Sequence, residues 1–409
     1  MRTYERTHPW ISFRIDLARV HPNLWIGLGE AAAKCEHLSR VMMRPETAQR
    51  LHTVFLAKGV AATTAIEGNA LSEADVLRAV EGKLQVPPSQ QYLKQEVDNI
   101  INACNRIGGQ LVEGTLPELS FGLIRQYNRL VLDKLPPEEG TIPGELRHHS
   151  VVVGQVYRGA PAEDCELLLD RLSVWLSSPD FAPSKGREIV YAIIKAVVAH
   201  LYLAWIHPFG NGNGRTARLL ELHILLAAGV SSPAAHLLSN HYNLTRSEYY
   251  RQLDHASKSG GDILPFLSYA VAGFVDGLRS QLEAVWRQQQ DVFWRDYVHE
   301  KFKQRNSSSD VRQRHLAVDL GKREGWVSIT EIPTLTPRLA IAYSGKTPKT
   351  VQRDLNALSA SGLIVRQPRA VRAQKEVLLS FLPISKKLSE DVIEGAQVGL
   401  VSADRLPNI

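Results

Sequence analysis

Apolar residues recur every three or four positions along most of this chain and alternate in only a few short stretches. Within Gly186–Trp205, Val190, Ile193, Ile194, Val197, Val198, Leu201 and Trp205 follow i, i+3, i+4, i+7 spacing, the mark of a helix with a buried stripe. Lys195 and His200 interrupt that run, so it reads as a core helix and not a membrane span. The same periodicity predicts helices over Glu46–Val60, Ser72–Gly82, Gln91–Ile107, Leu119–Leu132 and a long one over Asp262–Phe302. Ser72 and Asp75 make an N-terminal cap for the second of these. Pro136–Pro161 breaks the pattern: it is rich in proline and glycine and holds the β-branched run Val151–Tyr157, which predicts a short hairpin.

Beyond Asn306–Asp310, a polar run that reads as a linker, the pattern changes. Thr347–Gly362 has Thr at the cap, Pro348 at the first helical position and Gly362 past the end. Val351, Leu355 and Leu358 form its apolar stripe, while Lys349, Gln352 and Arg353 face outward. Leu363–Arg366 and Glu376–Phe381 read as strands joined across a basic turn. Helix, turn, helix and two-stranded wing resembles a winged helix, which implies a partner that is DNA or a protein, including another copy of this chain. The expected organisation is mainly α: an N-terminal helical region at 1–110, a core at 111–300, a linker at 301–310, the winged-helix-like module at 311–385 and a tail at 386–409.

Composition changes this picture little. The 409 residues are 44% hydrophobic and 22% charged, ordinary for a globular protein long enough for two or three domains. The N-terminus lacks an apolar signal core, and no run predicts a membrane span. Cys35, Cys104 and Cys165 form no CxxC pair, which suits a reducing cytoplasm and points to no metal site. A net charge of +6 permits a nucleotide or nucleic-acid partner without requiring one.

The chemistry concentrates in His207–Arg218. Gly210, Gly212 and Gly214 let a backbone turn take positive φ and bring its amides close to an anion. The residues that follow, from Thr216 to Ala228, read as a helix ended by Gly229, so the turn sits at a helix N-terminus, which favours negative charge. Arg215 and Arg218, three apart on that helix, can face one ligand. His207 is the candidate general base, since its ordinary pKa lies near neutrality. Phe209 reads as an apolar anchor for the loop.

These residues resemble the Fic family signature HxFx(D/E)GNGRxxR at every fixed position but one: Asn211 stands where the family usually carries an acidic magnesium ligand. The resemblance spans roughly 8–300, with the Fic catalytic core at 111–300. It implies transfer of AMP from ATP to a Ser, Thr or Tyr hydroxyl of a protein target. His207 would take the hydroxyl proton. Gly210, Asn211, Gly212, Asn213, Gly214, Arg215, Thr216, Ala217 and Arg218 would hold the nucleotide. Mg2+ would be held only weakly at Asn211, because a neutral carbonyl replaces a carboxylate. Thr63-Thr-Ala-Ile-Glu67-Gly68 matches the family's inhibitory motif (S/T)xxxE(G/N); carried over, Glu67 would pair with Arg218 and compete with phosphate for it. Val151, Val152 and Val153 correspond to a target-docking flap entered from Pro143–Arg147. Tyr249 and Tyr250 fall near where the family places adenine, or pack in the core. Removal of AMP, with Glu67 positioning water, and a nucleotide-sensing DNA-binding regulator are the alternatives.

Overall fold

The computed structural model describes residues 1–136, 138–153 and 157–379 and divides into two compact units, Met1–Glu283 and Ala284–Ile409. The fold is predominantly helical, with small antiparallel β elements.

In the first unit the most hydrophobic stretch becomes the central helix, Glu188–Ile206. By length and hydropathy it would suffice to cross a membrane, but 78% of it is buried in the protein. Val197, Val198, Leu201 and Trp205 are each at most 2% exposed, and each such side chain contributes roughly 1.5–3 kcal/mol by leaving water. This helix packs on Asn213–Ala227, which begins only seven residues after its end, so the connecting loop is the His207 motif. Gln91–Val112 and Phe121–Val131 pack on Asn213–Ala227 from outside. Pro45–Ile66 runs longer than the periodicity predicts, through Thr63 to Ile66, and delivers Glu67 at its C-terminal cap. It packs on Leu237–Leu244, and a side chain at Gly59 would collide with the His236 ring, so the imidazole sits in a notch of that helix. Helix Pro22–Ser39 lies where no helix was read from the sequence. The hairpin pairs Val152 with Arg158 and Val153 with Tyr157.

In the second unit the order is helix Ser308–Gly321, strand Val327–Ser328, helices Pro337–Tyr343 and Pro348–Ala360, then strands Ile364–Arg366 and Ala370–Ala373. The last strand lies between the other two, antiparallel to both. Buried Asp354 fastens this unit, accepting from Arg312 at 2.6 Å, Gln313 at 3.0 Å and Tyr343 at 3.0 Å.

Two readings are corrected. Glu376–Leu379, the described part of the predicted second wing strand, is not a strand: Lys375–Leu378 is a 3-10 turn, and Ala370–Ala373 takes the place because Val371 buries there while Arg372 points outward; Ser380 onward lies outside the described residues. Asn306–Asp310 is not all linker, since a helix starts at Ser308, with Ser307 and Asp310 forming its capping box. Phe381 and the 386–409 tail lie outside the described residues.

Candidate active site

The site forms where Glu188–Ile206 stops. His207 ends that helix in the left-handed region, φ +48, an uncommon conformation for a residue with a side chain and one held by its surroundings. Arg147 supplies the hold. Its buried guanidinium donates to the carbonyls of His207 (2.7 Å), His149 (2.6 Å) and Ala160, and its own amide donates to Pro208 O at 3.0 Å. A cation on the last carbonyls of a helix is favourable for both hydrogen bonding and the dipole.

His207 Nδ1 lies 3.4 Å from Ala204 O. A carbonyl only accepts, so Nδ1 carries the proton and Nε2 the lone pair. Burial pushes the imidazole pKa down to about 4, with Arg147 adding to the effect, so His207 is neutral at pH 7 and Nε2 can take a proton.

The glycines serve different needs. Only Gly212 takes positive φ, +76, as the N-cap of Asn213–Ala227. Gly210 and Gly214 are required by close approach: an added Cβ would strike Thr141 at the first and the Glu67 carboxylate at the second. The Asn213 side chain braces the loop. Its amide closes a ring with Phe209, accepting from Phe209 N at 3.0 Å and donating to Phe209 O at 2.9 Å. Phe209 itself is fully buried. Thr216 Oγ1 donates to Gly212 O at 2.7 Å, and Asn128 donates to Asn211 O at 2.9 Å. Ala217 is buried on the core side.

Both arginines are buried and each meets a carboxylate. Arg218 donates to Glu67 Oε1 at 2.5 Å and to Thr63 O at 3.0 Å. Burial raises the Glu67 carboxyl pKa, but Arg218 and Arg215 outweigh it, and the net direction is down. The Glu67 carboxylate therefore lies charged against Gly214 at a helix N-terminus, where an anion is favoured. Gly68, at φ +99, turns the chain away after it. Arg215 donates to Glu96 at 2.6 Å and to Asn211 Oδ1 at 3.1 Å. The other oxygen of Glu96 accepts from Asn69 at 2.9 Å, so the Glu67 turn is tied to the carboxylate on Arg215. Arg215 Nε and Arg218 Nε and Nη1 are buried and have no hydrogen-bond partner among the described residues.

On the opposite side, Asn211 Nδ2 donates to the exposed Glu138 at 2.7 Å. No group of three or more His, Cys, Asp or Glu suited to a metal occurs among the described residues. Mg2+ needs only one or two carboxylates when phosphates complete its shell, and Glu138 beside Asn211 meets that need.

Tyr249 is buried, stacks on Tyr242 at 4.8 Å and hydrogen bonds His200 Nε2 at 2.8 Å. Tyr250 is 43% exposed and donates to Ile66 O at 3.3 Å, beside the Glu67 turn. The flap edge comes close to the histidine: a Cβ on Gly159 would meet the His207 side chain. Val152 is exposed and Val151 and Val153 are half-buried.

The sequence did not single out Glu96, Glu138, Arg147 or Asn128 as site residues. Arg147 falls within the segment read as leading into the flap, but nothing there marks it as the clamp on His207. The others lie 73 to 119 positions from their partners, with no local signal.

Residues 118–225 match the model of the Fic/DOC family. The chain is 32% identical over 207 residues to protein adenylyltransferase Fic of Nematostella vectensis, covering 51% of this chain and 44% of that protein. It is also 32% identical over 207 residues to protein adenylyltransferase fic-1 of Caenorhabditis elegans, covering 51% and 37%. It thus spans less than half the length of these curated relatives. Among solved structures, Fic-1 (residues 134 to 508) from C. elegans aligns with a TM-score of 0.52 at 25% identity, over 68% of this chain and 75% of that one. A Fic family protein from Desulfovibrio desulfuricans shares the fold, with a TM-score of 0.52 at 20% identity over 88% of this chain and 97% of that one. The loop, its two arginines and the helices that carry them thus belong to a Fic-family domain whose curated relatives are protein adenylyltransferases.

Proposed function

We propose that this protein transfers AMP from ATP to a Ser, Thr or Tyr hydroxyl of a protein target, and that Glu67 holds the activity in check. The observation that carries the reading is the set of buried guanidinium N–H groups on Arg215 and Arg218 without partners. Buried charged donors are costly unless an acceptor meets them, and polyphosphate at a helix N-terminus supplies acceptors.

His207 Nε2 takes the proton as the hydroxyl oxygen bonds to the α-phosphorus. The bond from that phosphorus to the bridging oxygen breaks, and pyrophosphate leaves. Arg215, Arg218 and the amides at the start of Asn213–Ala227 hold the phosphates, and catalysis rests on their preorganised charge. Glu138 and Asn211 are the residues that would hold Mg2+ together with the phosphates, adding positive charge beside the leaving group. The exposed edge at Val152 would align an extended target segment by strand addition. Glu67, charged and seated against Gly214 and Arg218, competes with phosphate for the same donors.

The test compares wild type, Glu67→Gly and Glu67→Gly/His207→Ala with α-labelled ATP, scoring label on protein. Label in the Glu67→Gly variant alone is expected. Label in none of the three sinks the transferase reading. The second reading, AMP removal, draws on the electrostatic coupling of charged Glu67 to His207, which suits a carboxylate that orients water. It requires wild type to release AMP from a modified protein and Glu67→Gly to fail.

A further inference from the structure

We infer that the Ala284–Ile409 unit binds duplex DNA through the outer face of its Pro348–Ala360 helix, independently of the His207 site. Helix, strand, helix, helix and a final pair of strands, with the last strand central, is the order of a winged helix, in which the third helix enters the major groove.

The charge distribution selects the partner. Between Glu331 and Glu376 the only carboxylate is Asp354, and it is buried and consumed by Arg312, Gln313 and Tyr343. The same stretch carries Arg338, Lys346, Lys349, Arg353, Arg366, Arg369, Arg372 and Lys375. Arg338, Arg372 and Lys375 are neutralised by Asp319, Glu376 and Asp291. Lys346, Lys349, Arg353 and Arg369 are exposed and make no salt bridge among the described residues. These unopposed cations lie at the start of the helix and in the turn between the last strands.

The polar groups between them add a chemical preference. Thr347, Lys349, Gln352, Arg353 and Asn356 line one open cleft. Arg366 reaches across from the strand and donates to Gln352 Oε1 at 2.8 Å and to Asn356 Oδ1. Each amide oxygen thereby accepts one bond, and the N–H donors of both side chains remain free of partners on Arg366. The side chains of Lys349, Arg353, Gln352 and Asn356 give this face a surplus of donors. Guanine shows two acceptors, O6 and N7, in the major groove, so the face matches G·C-rich sequence, and Arg369 in the turn matches a phosphate. An acidic protein surface would satisfy the cations but would not need an ordered row of amide donors.

The test uses the full chain and fluorescent duplexes of about 30 base pairs, G·C-rich and A·T-rich. Lys349→Ala/Arg353→Ala is compared with wild type and with Lys185→Ala/Arg187→Ala, which removes the same charge from exposed positions in the first unit. We expect micromolar binding at low salt and at least tenfold loss in the first variant only. Its slope of log affinity against log salt should be shallower by about two, and the G·C-rich duplex should compete better. Equal loss in both variants would reduce the effect to net charge and overturn the proposal. So would absence of binding at low salt. Polyglutamate binding as tight as DNA, with the same dependence on Lys349 and Arg353, would reassign the face to an acidic protein.

Discussion

Two glutamates contact the His207–Arg218 loop, and the proposed function gives them contrasting parts, one in inhibition and one in catalysis. Glu67 arrives at the C-terminal cap of Pro45–Ile66 and meets Arg218; on the proposed function it takes donors that phosphate would use. Glu138 lies on an exposed loop and its side chain accepts from the Asn211 amide; on the proposed function it leaves the phosphate donors free and offers an oxygen to Mg2+. On this proposal a carboxylate opposes anion binding where it occupies a guanidinium, and supports it only by way of a bound cation where it does not. Residue type alone would not have told them apart.

The largest effect should come from His207, the proposed base. His207→Ala in the Glu67→Gly background should lower labelling by roughly 10²–10⁴-fold, measured with α-labelled ATP. Glu67→Gly should raise both ATP affinity and labelling by at least about tenfold, ~1.4 kcal/mol, read by calorimetry and label transfer. Glu138→Gln should do the reverse on a smaller scale. It should weaken Mn2+ or Mg2+ affinity of the ATP complex a few-fold, and Asn211→Asp should strengthen it, as titration calorimetry would report. If Glu138→Gln instead tightened ATP binding, the two glutamates would be acting alike and the contrast would fail. The pH profile of kcat/KM sharpens the same point. With its pKa held to about 4, His207 is in its basic form above that value, so the rate should be level from pH 8 to about 5 and fall below as Nε2 becomes protonated. An ordinary histidine would lose rate already below 6.5. The smallest effect belongs to Glu96→Gln. It loosens Arg215 and the Asn69 tether and should change ATP affinity two- to threefold.

Much of this was legible in the sequence because it is local. The core helix announced itself through spacing, the loop through its glycines and arginines, and the Glu67 motif through its pattern. What stayed hidden depends on distance or backbone. Arg147 clamps His207 across sixty positions, and nothing near it in sequence says so. Gly210 and Gly214 read as flexible turn residues, yet their roles are steric and come from Thr141 and Glu67. Asn213 read as a nucleotide-binding residue, and nothing near it in sequence shows that its amide also closes a ring with Phe209. The second wing strand was misplaced by a few residues because Val377, Leu378 and Leu379 look more strand-like than Ala370–Ala373. Burial of Val371 against the module's core decided the register.

The notch at Gly59 has a consequence for how fast this protein can be switched on. With the His236 ring seated there, the helix that carries Glu67 is keyed in place and cannot slide along its axis without expelling an imidazole from a packed interface. If Glu67 inhibits as proposed, release should proceed by fraying of the last turn, Thr64 to Glu67, while the rest of the helix stays fixed. Such an opening is a local unfolding event. Its rate should climb steeply with temperature, so that basal labelling by the wild-type protein behaves as a thermometer of one helical turn.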